Sequence, residues 1–176
     1  MPIYEFGSSR PQISEESYVH PEAVIIGNVK IEGECFIGPG AVMRADFGSI
    51  RIQDGTSIQD NVVIHSDGNT PGVLVERDVI VGHSAILHDA HIKPACVIGM
   101  GAILLYDVVC EEGVFVGAGS LVPSNMHIPA GKLVTGNPAH IMKDVSPEQV
   151  RYAREGVQLY RKLVREYRDT LRLVSP

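Results

Sequence analysis

The chain has 176 residues, with 15 Lys and Arg against 21 Asp and Glu and a formal net charge of −6 at pH 7. An acidic balance without a basic cluster argues against nucleic acid as a partner. No segment reaches the about 18 consecutive apolar residues of a membrane-spanning helix, and the N-terminus lacks the charged and apolar regions of a signal peptide. We therefore expect a cytoplasmic location, no membrane partner, and one domain plus a helix.

Most of the chain follows a six-residue hydrophobic rhythm. Its aliphatic positions, with one cysteine among them, are Ile31, Ile37, Met43, then Ile52, Ile58, Ile64, then Val75, Val81, Leu87, then Ile92, Ile98, Leu104, Cys110, Val116 and Val122. Such hexapeptide repeats are typical of a left-handed parallel β-helix, in which three hexads of about 18 residues form one triangular coil. A β-sandwich is the alternative, but it would show period-two alternation broken by hairpin turns. The rhythm predicts a mainly β protein, with a β-helix domain over 1–145.

Two steps between aliphatic positions are longer than six residues. One step is nine residues, so three extra residues leave the coil within 46–49, which we call the first excursion. Another step is eleven residues and contains turn-forming residues over 66–72, which we call the second excursion. Insertions in solenoids map to loops on one face, and that face is often functional. Both excursions flank the region of the chain that holds three histidines.

Three of the seven histidines lie in one narrow band of this scaffold. His65 follows the aliphatic Ile64, and His88 follows Leu87, so the two hold the same hexad position one coil apart. Their side chains should therefore stack on one outer wall. His83 belongs to the preceding hexad and lies on another wall or near the corner, where it is poorly placed to meet the other two within one chain. A neighbouring copy would supply it, so the spacing suggests a metal site shared between subunits of a homotrimer.

Three neutral imidazoles with an open fourth position form the usual catalytic zinc arrangement, which lowers the pKa of bound water to about 7. Imidazoles also suit Fe²⁺ and Co²⁺, so zinc is the expected ion among several that fit. Three solvated surface histidines are the alternative, and their grouping in one band favours the metal site. The remaining histidines share no register and are interpreted as surface or turn residues: His20, His91, His127 and His140.

Beyond Asp144 the pattern changes to that of a helix. Ser146, Pro147 and Gln149 fit an N-cap, a proline at the first helical position and a capping-box glutamine. Apolar residues then alternate in steps of three and four and form one stripe: Val150, Ala153, Val157, Tyr160, Val164, Tyr167, Leu171 and Val174. We expect an amphipathic helix over 146–174 that packs along the β-helix or on a neighbouring subunit and covers the exposed edge of the solenoid. A free coiled coil is the alternative.

Four segments resemble the γ-class carbonic anhydrases, and in detail the bacterial subgroup that includes the phenylacetate-degradation and carnitine-operon hexapeptide proteins. They are Arg-Ala-Asp at 44–46, Ile-Gln-Asp-Asn at 58–61, Val-Ile-His at 63–65 and the stretch over 82–88 from Gly to His. The N-terminal Met-Pro-Ile-Tyr and the C-terminal helix are also similar, so the resemblance covers nearly the whole chain. The ordered set of Arg, Asp, Gln, Asp and three His is specific, whereas Gly-Asn-Pro-Ala over 136–139 closes many hexapeptide proteins, acyltransferases included.

The resemblance implies the metal ligands and one supporting residue. His65 and His88 of one subunit and His83 of its neighbour would bind zinc. Gln59 would hold the metal-bound water or hydroxide by a hydrogen bond, which orients the reacting atom.

The resemblance also implies roles for three charged residues and a tyrosine. Arg44 and Asp60 would form an ion pair across the subunit boundary, and Asp46 would support that network. Ordinary surface pairing, worth well under about 1 kcal/mol, is the alternative. Tyr160 takes the place of a tyrosine that reaches the metal pocket in related proteins, and an apolar residue of the helix face is the alternative there.

The chain departs from the archetypal enzymes of this resemblance, which use glutamates near the metal. Phe47 and Gly48 follow Asp46 here, and Asp67 is the acidic residue of the second excursion. Ser57 stands where an asparagine is expected. A missing proton shuttle would slow the loss of the proton from the metal-bound water without abolishing the hydroxide.

Three functions fit these observations. The first is a γ-carbonic anhydrase-like lyase, in which zinc-bound hydroxide attacks carbon dioxide and bicarbonate leaves. The second is an acyl-CoA thioesterase that uses the same metal site, and its mark would be a groove for a long anionic cofactor. The third is a non-catalytic or acyltransferase role of the kind found among hexapeptide proteins. We rank the lyase narrowly ahead, with a small molecule as its substrate.

Overall fold

The fold is described from a computed structural model that covers residues 2–68 and 71–174. Residue 1 of the N-terminal resemblance and residues 69 and 70 of the second excursion lie outside the described residues. The strands and the helix of the described residues are β1 (Ile3–Tyr4), β2 (Gln12–Ile13), β3 (Tyr18–Val19), β4 (Val24–Ile31), β5 (Phe36–Ile37), β6 (Val42–Ile52), β7 (Ser57–Ile58), β8 (Val63–His65), β9 (Val73–Val75), β10 (Ile80–Val81), β11 (Ile86–His88), β12 (His91–Ile92), β13 (Val97–Ile98), β14 (Ile103–Leu104), β15 (Val109–Cys110), β16 (Phe115–Val116), β17 (Leu121–Val122), β18 (His127–Ile128), β19 (Lys132–Gly136), β20 (Ala139–Asp144) and α1 (Pro147–Thr170).

These strands stack in parallel as three walls. Wall one contains β8, β11, β14, β17 and the first halves of β4 and β6, and wall two contains β9, β12, β15, β18 and the second halves of β4 and β6. Wall three contains β3, β5, β7, β10, β13, β16 and β19. The predicted left-handed parallel β-helix is confirmed. The β-sandwich alternative fails because successive coils pair in parallel.

The inward side chains of the three walls form one continuous core. Every aliphatic position of the six-residue rhythm is buried, with an exposed fraction of at most 2%. Full burial of one such side chain contributes about 1.5–3 kcal/mol, so the stack of coils holds itself together. The corners are tight: a Cβ atom on Gly99 would lie 2.4 Å from the backbone nitrogen of Ala118 on the next coil. Glycine at that corner therefore permits the coil spacing.

The two excursions lie where the rhythm predicts them, and they contact each other. Strands β4 and β6 lose register between Ala45 and Ile50, so the four residues of the first excursion lie opposite a single residue of β4. The second excursion follows β8. A Cβ atom on Gly48 would lie 1.9 Å from Oγ of Ser66, so glycine is needed where the two backbones meet.

The helix begins as the sequence predicts. Ser146 is its N-cap, Pro147 is its first residue, and the capping box is complete, because Oγ of Ser146 accepts from the Gln149 N–H at 3.2 Å and Oε1 of Gln149 accepts from the Ser146 N–H at 3.0 Å. The helix ends at Thr170, four residues before the predicted end. Leu171 already has an extended backbone, with ψ of 125°.

The helix α1 packs along wall three of its own chain. Val164 packs with the aromatic side chains of β3 and β5, and Val157 packs with aliphatic residues of β10 and β13. Arg161 forms ion pairs with Glu34 and with Asp78, the second at 2.9 Å. The helix thus covers a wall and not the end of the solenoid, where β20 pairs antiparallel with β19.

Within the described part of the chain, no helix combines the length and the apolar character that crossing a membrane requires.

Candidate metal centre

His65 and His88 stack on wall one, as their hexad position predicts. They are directly opposite in the parallel pairing of β8 and β11. Nδ1 of His65 lies 2.9 Å from Nε2 of His88, and the ring centroids are 4.8 Å apart. Two nitrogens on one tetrahedral zinc ion, at about 2.0–2.1 Å each, are separated by about 3.3 Å. The pair therefore fits as two ligands of one ion.

Arg44 and Asp46 complete the surroundings of His65. Arg44 is opposite His65 in the pairing of β6 with β8 and forms an ion pair with Asp46. Oδ1 of Asp46 lies 3.3 Å from Nε2 of His65. Burial opposes ionisation of Asp46, but hydrogen bonds from Arg44, from its own backbone and from His65, together with the charge of Arg44, hold the pKa of this carboxyl below its usual value. The group is therefore ionised at neutral pH.

Asp89, which was not predicted from the sequence, places a second carboxylate at the site, beside the ring nitrogen of His88 that faces away from His65. Nδ1 of His88 lies 3.2 Å from Oδ2 of Asp89. This nitrogen is buried and makes no aligned hydrogen bond within the described residues. One signal was present in the sequence: the step from Leu87 to Ile92 is five residues instead of six, and Asp89 falls in that shortened hexad.

His83 lies elsewhere, at the corner that follows β10 of wall three. Its backbone N–H donates to Oε1 of Gln59 at 3.1 Å, and its Nδ1 lies 3.0 Å from Oδ2 of Asp60. The side chain of Tyr160, on α1, lies beside that of Gln59. Burial, with a smaller contribution from the charge of Asp60, raises the pKa of Tyr160, so its hydroxyl stays protonated at neutral pH.

The predicted site residues therefore fall into two clusters on one chain. The wall-one cluster consists of Arg44, Asp46, His65 and His88. The wall-three cluster consists of Gln59, Asp60, His83 and Tyr160. Within residues 2–68 and 71–174, no group of three or more metal-ligating side chains converges in a single chain. The predicted Arg44–Asp60 pair is likewise not formed within one chain, since each residue has another partner.

A groove lies between α1 and wall three, beside the wall-three cluster. Its volume is about 610 Å³. Its lining is mainly apolar and includes Met100, Phe115, Tyr152 and Leu159, and it also includes Gln59, His83 and Tyr160. The groove connects an apolar surface with the candidate ligand His83.

Wall one carries a ladder of outward aliphatic side chains in register on successive coils. We call it the aliphatic ladder, and it consists of Val24, Val42, Val63, Ile86, Ile103 and Leu121. All six are partly exposed. The outward positions of wall two include the polar Lys30, Arg51, His91 and His127, and wall three is covered by α1. Contiguous exposed apolar surface is typical of interaction sites in proteins.

Comparison with known proteins finds similar sequences and similar solved structures, although no family model matches the chain. Gamma carbonic anhydrase 2, mitochondrial, of Arabidopsis thaliana is 37% identical over 155 residues, which cover 85% of this chain and 56% of that protein. The carnitine operon protein CaiE of Escherichia coli O157:H7 is 32% identical over 176 residues, covering 100% of this chain and 89% of that protein. A crystal structure of a putative acetyltransferase from Bacillus cereus superposes with a TM-score of 0.92 at 32% identity and covers 95% of this chain and 96% of that one.

The coils of wall one, wall two and wall three, with their six-residue period, define a hexapeptide-repeat protein. Within that class, the family follows from the similarity to CaiE, which is 32% identical over the whole chain. The chain belongs to the γ-carbonic anhydrase-like hexapeptide-repeat family. It spans 56–59% of the length of the two plant relatives that it matches.

Proposed function

We propose that this protein is a metal-dependent lyase that hydrates carbon dioxide to bicarbonate and a proton, at sites shared between the subunits of a homotrimer. The observation that carries the proposal is the separation of the candidate ligands. His65 and His88 form a pair with ligand spacing on wall one, whereas His83 lies at the corner that follows β10 of wall three. Each chain thus offers two ligands at one surface and a third at another.

The aliphatic ladder supports a second copy of this chain as the partner of wall one. Two of its members, Val63 and Ile86, precede His65 and His88 by two residues and are 38% and 37% exposed. Full burial of an aliphatic side chain contributes about 1.5–3 kcal/mol, so covering the ladder would favour association. A subunit that covers the ladder beside the histidine pair would bring its own His83 to that pair.

The charged residues of the two clusters support the same assembly. The side chains of Arg44 and Asp60 are 44% and 40% exposed in the single chain. Each therefore retains room for another partner beyond its present one. Across the proposed interface, Arg44 of one subunit would pair with Asp60 of the next, as the family resemblance implies.

The three histidines would hold Zn²⁺, or Fe²⁺ or Co²⁺, with one coordination position open. The ion, when bound, lowers the pKa of a water molecule to about 7 and so makes it a nucleophile at neutral pH. The chain's own residues orient the reactants. Oε1 of Gln59 is occupied by the His83 N–H, which leaves the amide NH₂ as a donor beside Tyr160. Gln59 would thus fix the position of the attacking water.

Proton removal completes the reaction, because hydration of carbon dioxide releases one proton per turnover. Asp46 contacts His65 and its side chain is 16% exposed, but its lowered pKa makes it a weak proton acceptor at neutral pH. The proton would therefore pass directly to solvent or buffer.

The test is a carbon dioxide hydration assay on zinc-loaded protein, followed by stopped-flow with a pH indicator. We expect turnover above the uncatalysed rate, and no turnover after chelation of the metal or in His65→Ala. If zinc-loaded, trimeric protein showed no hydration activity, the proposed lyase function would be refuted.

The groove beside His83 supports a second candidate reaction at the same metal site, thioester hydrolysis. Its volume of about 610 Å³ falls in the range of about 300–1,000 Å³ that suits drug-sized ligands, and carbon dioxide needs far less. Hydrolysis of an acyl thioester by the same water, giving a carboxylic acid and a thiol, would use the apolar lining for the acyl chain. Thioester hydrolysis that weakens in Leu159→Ser, while hydration is unchanged, would assign the groove to this substrate.

A further inference from the structure

Asp89 is a buried carboxylate to which the proposed reaction gives no role. Its side chain has an exposed fraction of 0%. Its backbone has φ of 49°, in the left-handed region that few residues other than glycine, asparagine and aspartate adopt. The backbone conformation turns the chain immediately after His88 and directs the carboxylate back towards that ring. A buried carboxylate in a strained backbone conformation is stable only where its surroundings hold it there.

The second excursion holds Asp89 in place. Oδ1 of Asp89 accepts from Oγ of Ser66 at 2.8 Å, and Oδ2 accepts from the Asp67 N–H at 3.2 Å. The Asp89 N–H donates to the carbonyl oxygen of His65 at 3.2 Å. These contacts connect Asp89 to both members of the histidine pair, since Oδ2 also faces Nδ1 of His88.

The two ring nitrogens of His88 face different groups. Nδ1 lies 3.2 Å from Oδ2 of Asp89, in a contact that is not aligned as a hydrogen bond, and it has no hydrogen-bond partner within the described residues. Nε2 faces His65. Histidines that bind metals generally donate their second ring N–H to a carboxylate or carbonyl oxygen, which fixes the tautomer and the ring orientation.

We propose that Asp89 is a positioning residue for the metal site: when the metal is bound, its carboxylate accepts the Nδ1–H of His88 and so holds the ring with Nε2 as the ligand. The inference rests on the proposed metal-dependent function. The competing explanation is structural, in which Asp89 serves only to anchor the second excursion through Ser66 and Asp67.

The two explanations differ in a matched pair of variants. Asp89→Asn keeps a side chain of the same shape and tolerates positive φ, but it removes the charge that attracts the Nδ1 proton. Ser66→Ala removes the strongest tie between Asp89 and the second excursion and leaves the contact with His88. Asp89→Gly removes the carboxylate and accepts the backbone conformation freely, so it serves if the asparagine variant folds poorly.

Zinc affinity is measured first, by competition with a chromophoric chelator on folded wild-type and variant protein. We expect a loss of about 10- to 100-fold for Asp89→Asn and a much smaller loss for Ser66→Ala, the scale being that of residues that support metal ligands. Equal losses in the two variants would assign Asp89 to anchoring the excursion, and unchanged affinity in Asp89→Asn would also overturn the proposal.

The hydrogen bond of the His88 ring is measured second, from the ¹⁵N chemical shifts of the ring in zinc-loaded protein. We expect the Nδ1–H of His88 in the zinc-loaded wild type to show the shifts of an N–H donated to a carboxylate, and to show a weaker hydrogen bond in zinc-loaded Asp89→Asn. Identical Nδ1–H shifts in the two zinc-loaded proteins would refute the positioning role. Failure of the wild type to bind zinc at all would instead refute the proposed function, so the two failures are distinguishable.

Discussion

Nδ1 of His65 and Nε2 of His88 are 2.9 Å apart although the residues are separated by 23 positions in the chain. The separation follows from register: both residues end strands of wall one, and parallel pairing sets those strands directly above one another. In the proposed function, the fold of a single chain would thus supply two of the three metal ligands. The third would come from a neighbouring subunit, so the proposal can be tested by changing one ligand at a time.

Metal content should depend on this pair. Wild-type protein equilibrated with zinc and dialysed should retain one ion per subunit, and His65→Ala should lose most of it. Affinity should fall on acidification, because protons compete for the imidazole lone pairs. Elemental analysis measures the content, and His91→Ala is the control, since His91 pairs with Glu76 on wall two. Wild-type protein that takes up no zinc at neutral pH would remove the site assignment.

Gln59 should affect turnover and not metal content. Its side chain contacts the His83 backbone and Tyr160 but is not itself a candidate ligand. We expect Gln59→Ala to bind zinc as the wild type does and to lose about 10- to 100-fold in hydration rate. Steady-state kinetics on samples of matched metal content make the comparison. An unchanged rate would show that Gln59 only supports the corner that holds His83.

The sequence predicted the coils because the direction of each side chain repeats with the period of the pattern. The hexad position of Leu87 faces the core in each coil of wall one, and His65 and His88, which follow such positions, are only partly buried. The same reasoning placed His65 and His88 together. It did not find Asp89, because the contact of this carboxylate with His88 follows from a left-handed backbone conformation, with φ of 49°, that the hydrophobic period does not encode.

The sequence predicted the end of the helix four residues too late. Apolar periodicity continues through Leu171 and Val174, but a helix needs a surface to bury that stripe. Helix α1 runs from the later coils of wall three, where Val157 packs, to the first coils, where Val164 packs. At Thr170 the wall has ended, and the two later apolar residues are 43% and 79% exposed.

The aliphatic ladder should be the surface on which subunits associate. Ile86→Lys places a charge in its middle, where covering it would be unfavourable, so we expect dissociation of the trimer at micromolar concentration. Val109→Lys is the matched control, because it makes the same change at an outward position of wall two. Analytical ultracentrifugation gives the masses. The ladder assignment would be wrong if the Ile86 variant stayed trimeric, or if the control dissociated equally.

The cysteine thiols should be inert in the folded protein. Cys35, Cys96 and Cys110 are free and buried. Burial raises the pKa of Cys35 and of Cys96 to about 12 and also raises the pKa of Cys110. Thiolate is the reactive form, so almost none is present at pH 8. Ellman's reagent should detect no thiol in native protein and all three in denaturant, and rapid labelling of the native protein would contradict the buried core.

The shared site predicts that two inactive variants restore each other. His83→Ala and His88→Ala should each be inactive as homotrimers, because every site lacks one ligand. When the two are mixed by unfolding and refolding, some interfaces join an intact His83 from one chain to an intact His65 and His88 from another. In a cyclic trimer each subunit gives its His83 to the same one of its two neighbours, so each mixed trimer holds one complete site. With equal amounts of the two variants, about one half of the chains have an intact His88, and about one half of their neighbours have an intact His83. Random assembly therefore restores about one quarter of the sites. Zinc content and activity should both return to that level. If all three ligands came from one chain, no mixture would rebuild a site, so well-folded mixed trimers without zinc or activity would refute the interface site.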